Sequence, residues 1–165
     1  MNFLNSPIVN QNGFVGISQD YHFEYDGERI RFFGASLSYD ANFPDNEDAK
    51  PIAKRLAKLG VNLVRLHHMD HAYAPQGIWH YDEEEPSKTV LDTDQMAKLD
   101  YFINQLKING IFINLNLHVS RELSTDEGIV DDEFMPTFNK GVDLFDDRMR
   151  VLHKQYATDL LTHVS

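Results

Sequence analysis

The chain has 165 residues, 42% of them hydrophobic and 12% aromatic, which is enough apolar side chain for one sizeable core. Its formal net charge of -11 disfavours nucleic-acid phosphates and membrane surfaces as partners. The absence of cysteine excludes disulfides, thiolate metal sites and cysteine nucleophiles. The sequence has neither a signal-peptide pattern nor a run of roughly 18 apolar residues, so the chain as given is expected to be soluble and cytoplasmic.

Residues 1–30 are predicted to form an N-terminal β-ribbon, and residues 31–165 a second unit. Apolar and polar side chains alternate on both sides of Asp26-Gly27, which is a strong signal for a two-residue β-hairpin turn. The ribbon leads into a first main strand at about 31–37.

The first helix is predicted to follow a polar loop. Asp48 is the expected N-cap, and Pro51 would then lie in the first turn, where its missing N–H costs little. The helix is expected to end at Gly60. Its buried stripe is predicted to consist of Ile52, Ala53, Leu56, Ala57 and Leu59.

Two further strands are predicted at 61–67 and 111–118, each directly after a glycine that ends a helix. The second helix is expected to open at Asp92, with Gln95 as a variant of the capping box, and the third near Asp146. The predicted buried stripes are Met96, Leu99, Ile103 and Leu106 in the second helix, and Met149, Leu152, Tyr156 and Leu160 in the third.

The element order ββ(βα)(βα)(βα) predicts an α/β fold with a parallel sheet. The third strand alternates, with isoleucine and leucine on one side and mostly polar residues on the other, whereas a doubly wound sheet covered by helices on both faces is apolar on both. The polar side is therefore expected to face the lumen of a barrel. We predict a partial TIM-type barrel of three βα units, preceded by the hairpin and completed by self-association.

The strand-to-helix connections, at about 69–91 and 119–145, are much longer than the usual few residues. Both follow the C-terminal ends of strands, where parallel α/β folds bind ligands. They carry aromatic residues that disordered segments seldom contain, so we interpret them as a binding face.

Polar side chains are predicted to meet at these strand ends. Arg65 and His67 share one side of the second strand, and a buried guanidinium there needs a carboxylate or several acceptors. Arg65 either anchors a local Asp or Glu or belongs to a site.

Histidines form a second set of candidates. His67, His71 and His118, with Asp70 completing the shell, are an alternative site for a divalent metal such as zinc in a hydrolase. His68 is expected to point opposite to His67. The other interpretation is that these histidines bind substrate or are hydrogen-bonded in the core, with no cofactor.

Three short segments stand in a distinctive order and spacing. They are Arg31-Phe32-Phe33-Gly34, Gly60-Val61-Asn62-Leu63-Val64-Arg65-Leu66-His67-His68 and Ile113-Asn114-Leu115-Asn116-Leu117-His118. Together they resemble the N-terminal part of cellulase-like glycoside hydrolases of the large (β/α)8-barrel clan, whose members are often secreted.

This resemblance implies roles for individual residues. Arg65 matches the arginine that braces the catalytic nucleophile, and His118 matches a histidine that lines the sugar site. Trp79 is the candidate for stacking on a sugar ring, with packing of the loop as the alternative. The substrate-binding candidates for a β-linked sugar are Arg65, His67, His68, Trp79, Asn116 and His118.

The catalytic residues of the family have no counterpart in this sequence. Members place their two catalytic glutamates at the ends of strands four and seven, and the sequence contains three barrel strands. Glu122, Asp70 and Glu127 are expected to be surface carboxylates rather than replacements. Three functions therefore stay open: a glycosidase site assembled between chains, a metal-dependent hydrolase, and a non-catalytic carbohydrate-binding remnant.

Overall fold

The computed structural model describes residues 13–163, and the part of the predicted ribbon in 1–12 lies outside the described residues. The ribbon is an antiparallel sheet of β1 (Gly16–Ile17), β2 (Phe23–Tyr25) and β3 (Glu28–Arg29). Tyr25 pairs with Glu28 across Asp26-Gly27, so the predicted hairpin is confirmed.

The central sheet is parallel and contains three strands in the order β4-β5-β6. They are β4 (Gly34–Ser38), β5 (Leu63–His67) and β6 (Phe112–Leu115), each shorter than or shifted from its predicted range. The sheet is open, with β4 and β6 at its edges. The α/β fold with three parallel strands is confirmed.

Within residues 13–163, three α-helices accompany these strands: α1 (Asn46–Lys58), α2 (Thr93–Ile108) and α3 (Asp147–Thr162). The predicted start of α1 was wrong. Its N-cap is Asp45 rather than Asp48, because the backbone carbonyl of Asp45 accepts the N–H groups of Asp48 and Ala49. Pro51 consequently lies in the second turn of α1.

The predicted N-cap of α2 is confirmed, since the Asp92 carboxylate accepts from the N–H groups of Asp94 and Gln95. The capping-box role of Gln95 was wrong. Its amide instead donates to the carbonyls of Pro75 and Gly77, at 2.9 Å each, and so fixes the loop before α2.

The core lies between one face of the sheet and the helices. Val64 and Leu66 of β5 are fully buried, and α1 contributes alanines, whose small size permits close packing against α2. Leu59 is 58% exposed, so its place in the α1 stripe was wrong. The whole predicted stripe of α3 is buried: Met149, Leu152, Tyr156 and Leu160.

The other face of the sheet is open to solvent and polar. Ser36, Arg65 and Asn114 stand in register across the three strands, and all three are exposed. Among the described residues, helices do not cover this face, which in a closed barrel would line the lumen.

The ribbon closes the end of the sheet opposite to the strand C-termini. Rings of Tyr25 and Phe32 make edge contacts with Phe112 at the start of β6, with centroids 5.0 and 5.5 Å apart. The C-terminal ends of the strands remain the accessible end.

Within 13–163, none of the helices combines the length and the apolar character that crossing a membrane requires.

Candidate functional site

One residue directly after β4 and one directly after β5 adopt the left-handed backbone conformation. Tyr39 has φ +58° and His68 has φ +56°, a conformation that side-chain-bearing residues seldom adopt. Their rings stack at 4.7 Å with 17° between the planes. Buried Asn42 supports both strand ends, because its amide donates to the carbonyls of Tyr39 and His67. Backbone strain of this kind is concentrated at functional sites.

Arg65, His67 and Asn116 form a hydrogen-bonded cluster on the open face of the sheet. With its amide oxygen turned toward the cluster, Asn116 accepts from Nε and Nη2 of Arg65 and from Nδ1 of His67 at 2.9 Å. Within the described part of the chain, Arg65 makes no ion pair with a carboxylate. The expectation of a buried guanidinium was wrong, since the uncovered sheet leaves Arg65 exposed.

The two adjacent histidines have lowered pKa values, which favours their neutral form. Partial burial lowers the pKa of His67, and the nearby charge of Arg65 lowers it further. Burial, followed by the proximity of His67, lowers the pKa of His68. Each neutral ring carries one donor and one acceptor nitrogen, and Nδ1 of His68 is 2.8 Å from the Ser120 hydroxyl.

Asp70 is a structural carboxylate, and its predicted place at the surface was wrong. It is fully buried and accepts from the backbone N–H groups of Val119, Ser120 and Arg121, at 2.8 to 3.2 Å. These bonds tie the loop after β5 to the loop after β6, which brings the two long connections together at one end of the sheet.

The other two candidate carboxylates are also engaged in local structure. Glu127 is buried and accepts from the backbone N–H groups of Ser124 and Lys88, so its predicted surface position was wrong. Glu122 is exposed, as predicted, and accepts from the N–H of Phe138.

Trp79 does not line the open face. It is 0% exposed, its indole N–H donates to the carbonyl of Asp70 at 3.0 Å, and its ring lies 4.8 Å from Tyr156 and 4.3 Å from the Arg121 guanidinium. A fully buried ring has no face left for a sugar, so the stacking role predicted for Trp79 was wrong and loop packing is its role.

Tyr39 presents an accessible aromatic ring at the site, and sequence reasoning missed it. Its residue is 40% exposed, and its ring contacts both His68 and His71. The available signal was its position, directly after a strand that ends on the predicted binding face.

His118 belongs to a different group of side chains. Its ring lies 4.2 Å from that of His153 in α3, and its Nε2 lies 3.7 Å from a carboxylate oxygen of Asp143. Among the described residues, the predicted metal set of His67, His71 and His118 does not come together, whereas His118, Asp143 and His153 have ligand atoms within 4.8 Å of one another.

His153 was also missed by sequence reasoning, because that reasoning sought site residues at the strand ends and His153 lies in α3. Burial lowers the pKa of His153 to about 4, with further contributions from His118 and Arg121. Its imidazole is therefore neutral at physiological pH.

No family model matches the sequence, and no curated protein matches it significantly. Among solved structures, the endo-1,4-beta-mannanase from Rhizomucor miehei is similar to this chain, with a TM-score of 0.67 and 19% sequence identity. The match covers 92% of this chain and 42% of the mannanase. The fold is that of part of a TIM-type barrel. The motif-based resemblance to a glycoside hydrolase barrel is thus confirmed at the level of fold, and the chain spans less than half the length of that enzyme.

Proposed function

We propose that the C-terminal end of the β4-β5-β6 sheet binds a β-linked sugar, as part of a glycoside-hydrolase-type barrel. The observation that carries this proposal is the cluster of Arg65, His67 and Asn116 on the open polar face, beside the exposed ring of Tyr39. The cluster contains a guanidinium, an imidazole and an amide at the end of the sheet where parallel α/β folds hold their ligands.

The chemistry of the cluster suits a neutral polyhydroxyl ligand. Sugar hydroxyls both donate and accept, and the cluster offers both kinds of group close together. Tyr39, backed by the stacked His68, presents a flat apolar surface to the C–H face of a pyranose ring. The mannanase neighbour supports β-1,4-linked mannose units as the first ligand to test.

The three candidate carboxylates, Asp70, Glu122 and Glu127, are engaged in local structure. Retaining hydrolysis requires two carboxyl groups about 5 to 5.5 Å apart on either side of the glycosidic bond. Asp70 and Glu127 are buried under backbone N–H groups, and Glu122 accepts from the loop at Phe138. We propose that residues 13–163 supply the sugar-binding and bracing groups, and that catalytic carboxylates come from additional strands or from a second copy.

The test is calorimetric titration of the chain with β-1,4-mannohexaose, with cellohexaose as the comparison sugar. Arg65→Ala is expected to reduce affinity at least about tenfold, because it removes the guanidinium and two hydrogen bonds of the cluster, which leaves His67 as the donor to Asn116. The affinity of Arg65→Lys should lie between those of the wild type and Arg65→Ala, since lysine retains the charge without the bidentate fork. Arg55→Ala, on the exposed side of α1, is the matched control. Equal affinity for the wild type and all three variants would refute the proposal.

Hydrolysis is measured separately with an aryl β-mannoside. Turnover that is lost in Arg65→Ala and is unaffected by chelator would indicate a metal-independent glycosidase site that includes Arg65. Saturable binding without turnover would indicate a carbohydrate-binding role.

A further inference from the structure

A group of possible metal ligands lies outside the proposed sugar-binding cluster. His118 follows β6, Asp143 lies in the 3-10 turn Val142–Leu144, and His153 lies in α3. Each side chain offers one ligand atom, and the three atoms lie within 4.8 Å of one another. Three segments of the chain therefore converge on one point.

Hydrogen bonding does not account for this convergence. His118 Nε2 and Asp143 Oδ2 are 3.7 Å apart, which is too long for a hydrogen bond. Nδ1 of His153 is buried, and within 13–163 it has no hydrogen-bond partner. A buried nitrogen atom of this kind is normally paired, so it calls for a partner.

We propose that His118, Asp143 and His153 bind one divalent transition-metal ion of the zinc class. Two imidazoles and one carboxylate are a common ligand set for zinc, with bonds of about 2.0 to 2.2 Å. At those lengths, two ligand atoms on a tetrahedral ion lie roughly 3.3 to 3.5 Å apart. The 3.7 Å separation of the His118 and Asp143 ligand atoms then closes by a few tenths of an ångström on binding.

The surroundings leave room for the ion to enter. The side chains of His118 and Asp143 are 32% and 20% exposed. Arg121 brings a positive charge near His153, but its guanidinium donates to the carbonyls of Leu152 and Lys88 and lies over the Trp79 ring. The guanidinium is therefore not bonded to the three ligand atoms.

The role of this ion is structural. It connects the end of β6 to the turn before α3 and to α3 itself, so it fixes the long connection 116–146 in place. Because the ion binds the folded chain and not the dispersed ligands of the unfolded chain, it stabilises the fold by mass action. The inference is independent of sugar binding, since it involves neither Arg65 nor Tyr39.

The experiment is calorimetric titration of the chelator-treated, dialysed chain with zinc sulfate. One zinc ion per chain is expected, together with a rise in the midpoint of thermal unfolding. Asp143→Asn and His153→Gln should each weaken binding at least about tenfold. His22→Gln, in the N-terminal ribbon, is the matched control and should bind zinc as the wild type does.

A second probe guards against variants that fail to fold. Cobalt(II) in the same site should give visible d–d absorption in the wild type that is absent from Asp143→Asn, whose far-ultraviolet circular dichroism should match that of the wild type. Absence of saturable zinc binding would overturn the proposal, as would unchanged binding in both Asp143→Asn and His153→Gln. Loss of binding in His67→Gln with retention in His153→Gln would also overturn it.

Discussion

At the scale of single residues, Asp70 connects the two long loops at the candidate site. One buried carboxylate accepts three consecutive backbone N–H groups, from Val119 to Arg121, about 50 residues further along the chain. An ionised carboxylate binds such donors more strongly than a neutral group does. The relative position of the two long loops therefore depends on one side chain.

Asp70→Asn should destabilise the fold by roughly 2 to 4 kcal/mol, because the amide loses the charge and turns an N–H₂ group toward backbone donors. The measurement is urea unfolding followed by circular dichroism. Glu83→Gln, at an exposed loop position, is the control and should stay within about 0.5 kcal/mol of the wild type. An equally small effect of Asp70→Asn would show that the carboxylate is not required.

At the scale of elements, the connection between β5 and α2 is shaped by a tight approach of backbone to backbone. A Cβ at Gly77 would lie 2.0 Å from the carbonyl oxygen of Ala72. The same turn contains hydrogen bonds from Gly77 to Tyr73 and from Ile78 to Met69, which bring Trp79 into the core. Position 77 therefore requires glycine, because there is no room for a Cβ.

Gly77→Ala should lower the free energy of unfolding by roughly 1 to 3 kcal/mol or more, since the clash involves backbone atoms that cannot rotate away. Gly16→Ala is the matched control, because its added Cβ would meet nothing closer than the Glu24 carbonyl oxygen at 4.0 Å. The midpoints of thermal unfolding of Gly77→Ala and Gly16→Ala are compared with that of the wild type. Equal midpoints for the two variants would contradict the steric argument.

The end of α3 is attached to α2 by a contact that depends on pH. His163 lies 2.8 Å from the Asp100 carboxylate and 2.7 Å from the Leu160 carbonyl, which suits an imidazolium that donates from both nitrogens. Burial alone would lower the pKa of His163, but the hydrogen bonds to Asp100 and Leu160 outweigh it and raise the pKa above 6.5.

A raised pKa in the folded state means that the stabilisation is complete below pH 6.5 and is lost as the pH rises through the folded value. Asp100→Asn should therefore destabilise the chain in mildly acidic buffer, by at most about 1 kcal/mol for this partly exposed pair, and have little effect in mildly alkaline buffer. Asp94→Asn on the same helix is the control. A destabilisation by Asp100→Asn that is the same in both buffers would refute this account.

At the scale of the whole molecule, the open sheet is the dominant feature. β4 and β6 are edge strands, and the polar face between them carries the exposed row of Ser36, Arg65 and Asn114. Unpaired edges favour strand pairing with another sheet.

Residues 1–165 prepared as a separate polypeptide are therefore expected to self-associate through these edges and to rebuild a barrel-like core. Light scattering coupled to size-exclusion chromatography measures the mass directly. A well-folded, monodisperse monomer at micromolar concentration would contradict this expectation.

Interactions between near neighbours in the sequence were predictable from the sequence. The N-caps at Asp92 and Asp146 depend on residues two or three positions away, and the spacing of the α3 stripe follows from the helical period. The hairpin at Asp26-Gly27 is equally local. The start of α1 was missed because Asp45 and Asp48 both suit an N-cap, and their backbone hydrogen bonds decide between them.

Contacts between distant segments were decided by the tertiary structure. Sequence position placed Arg65 and Asn116 at neighbouring strand ends, but the open sheet decided that Arg65 is exposed and bonded to an amide oxygen. Burial of Trp79 and the meeting of His118 with His153 depend on how the long loops and α3 fold back over the sheet. Hydrophobic period and capping act over a few residues and are visible in the sequence, whereas burial and side-chain geometry depend on segments tens of residues apart.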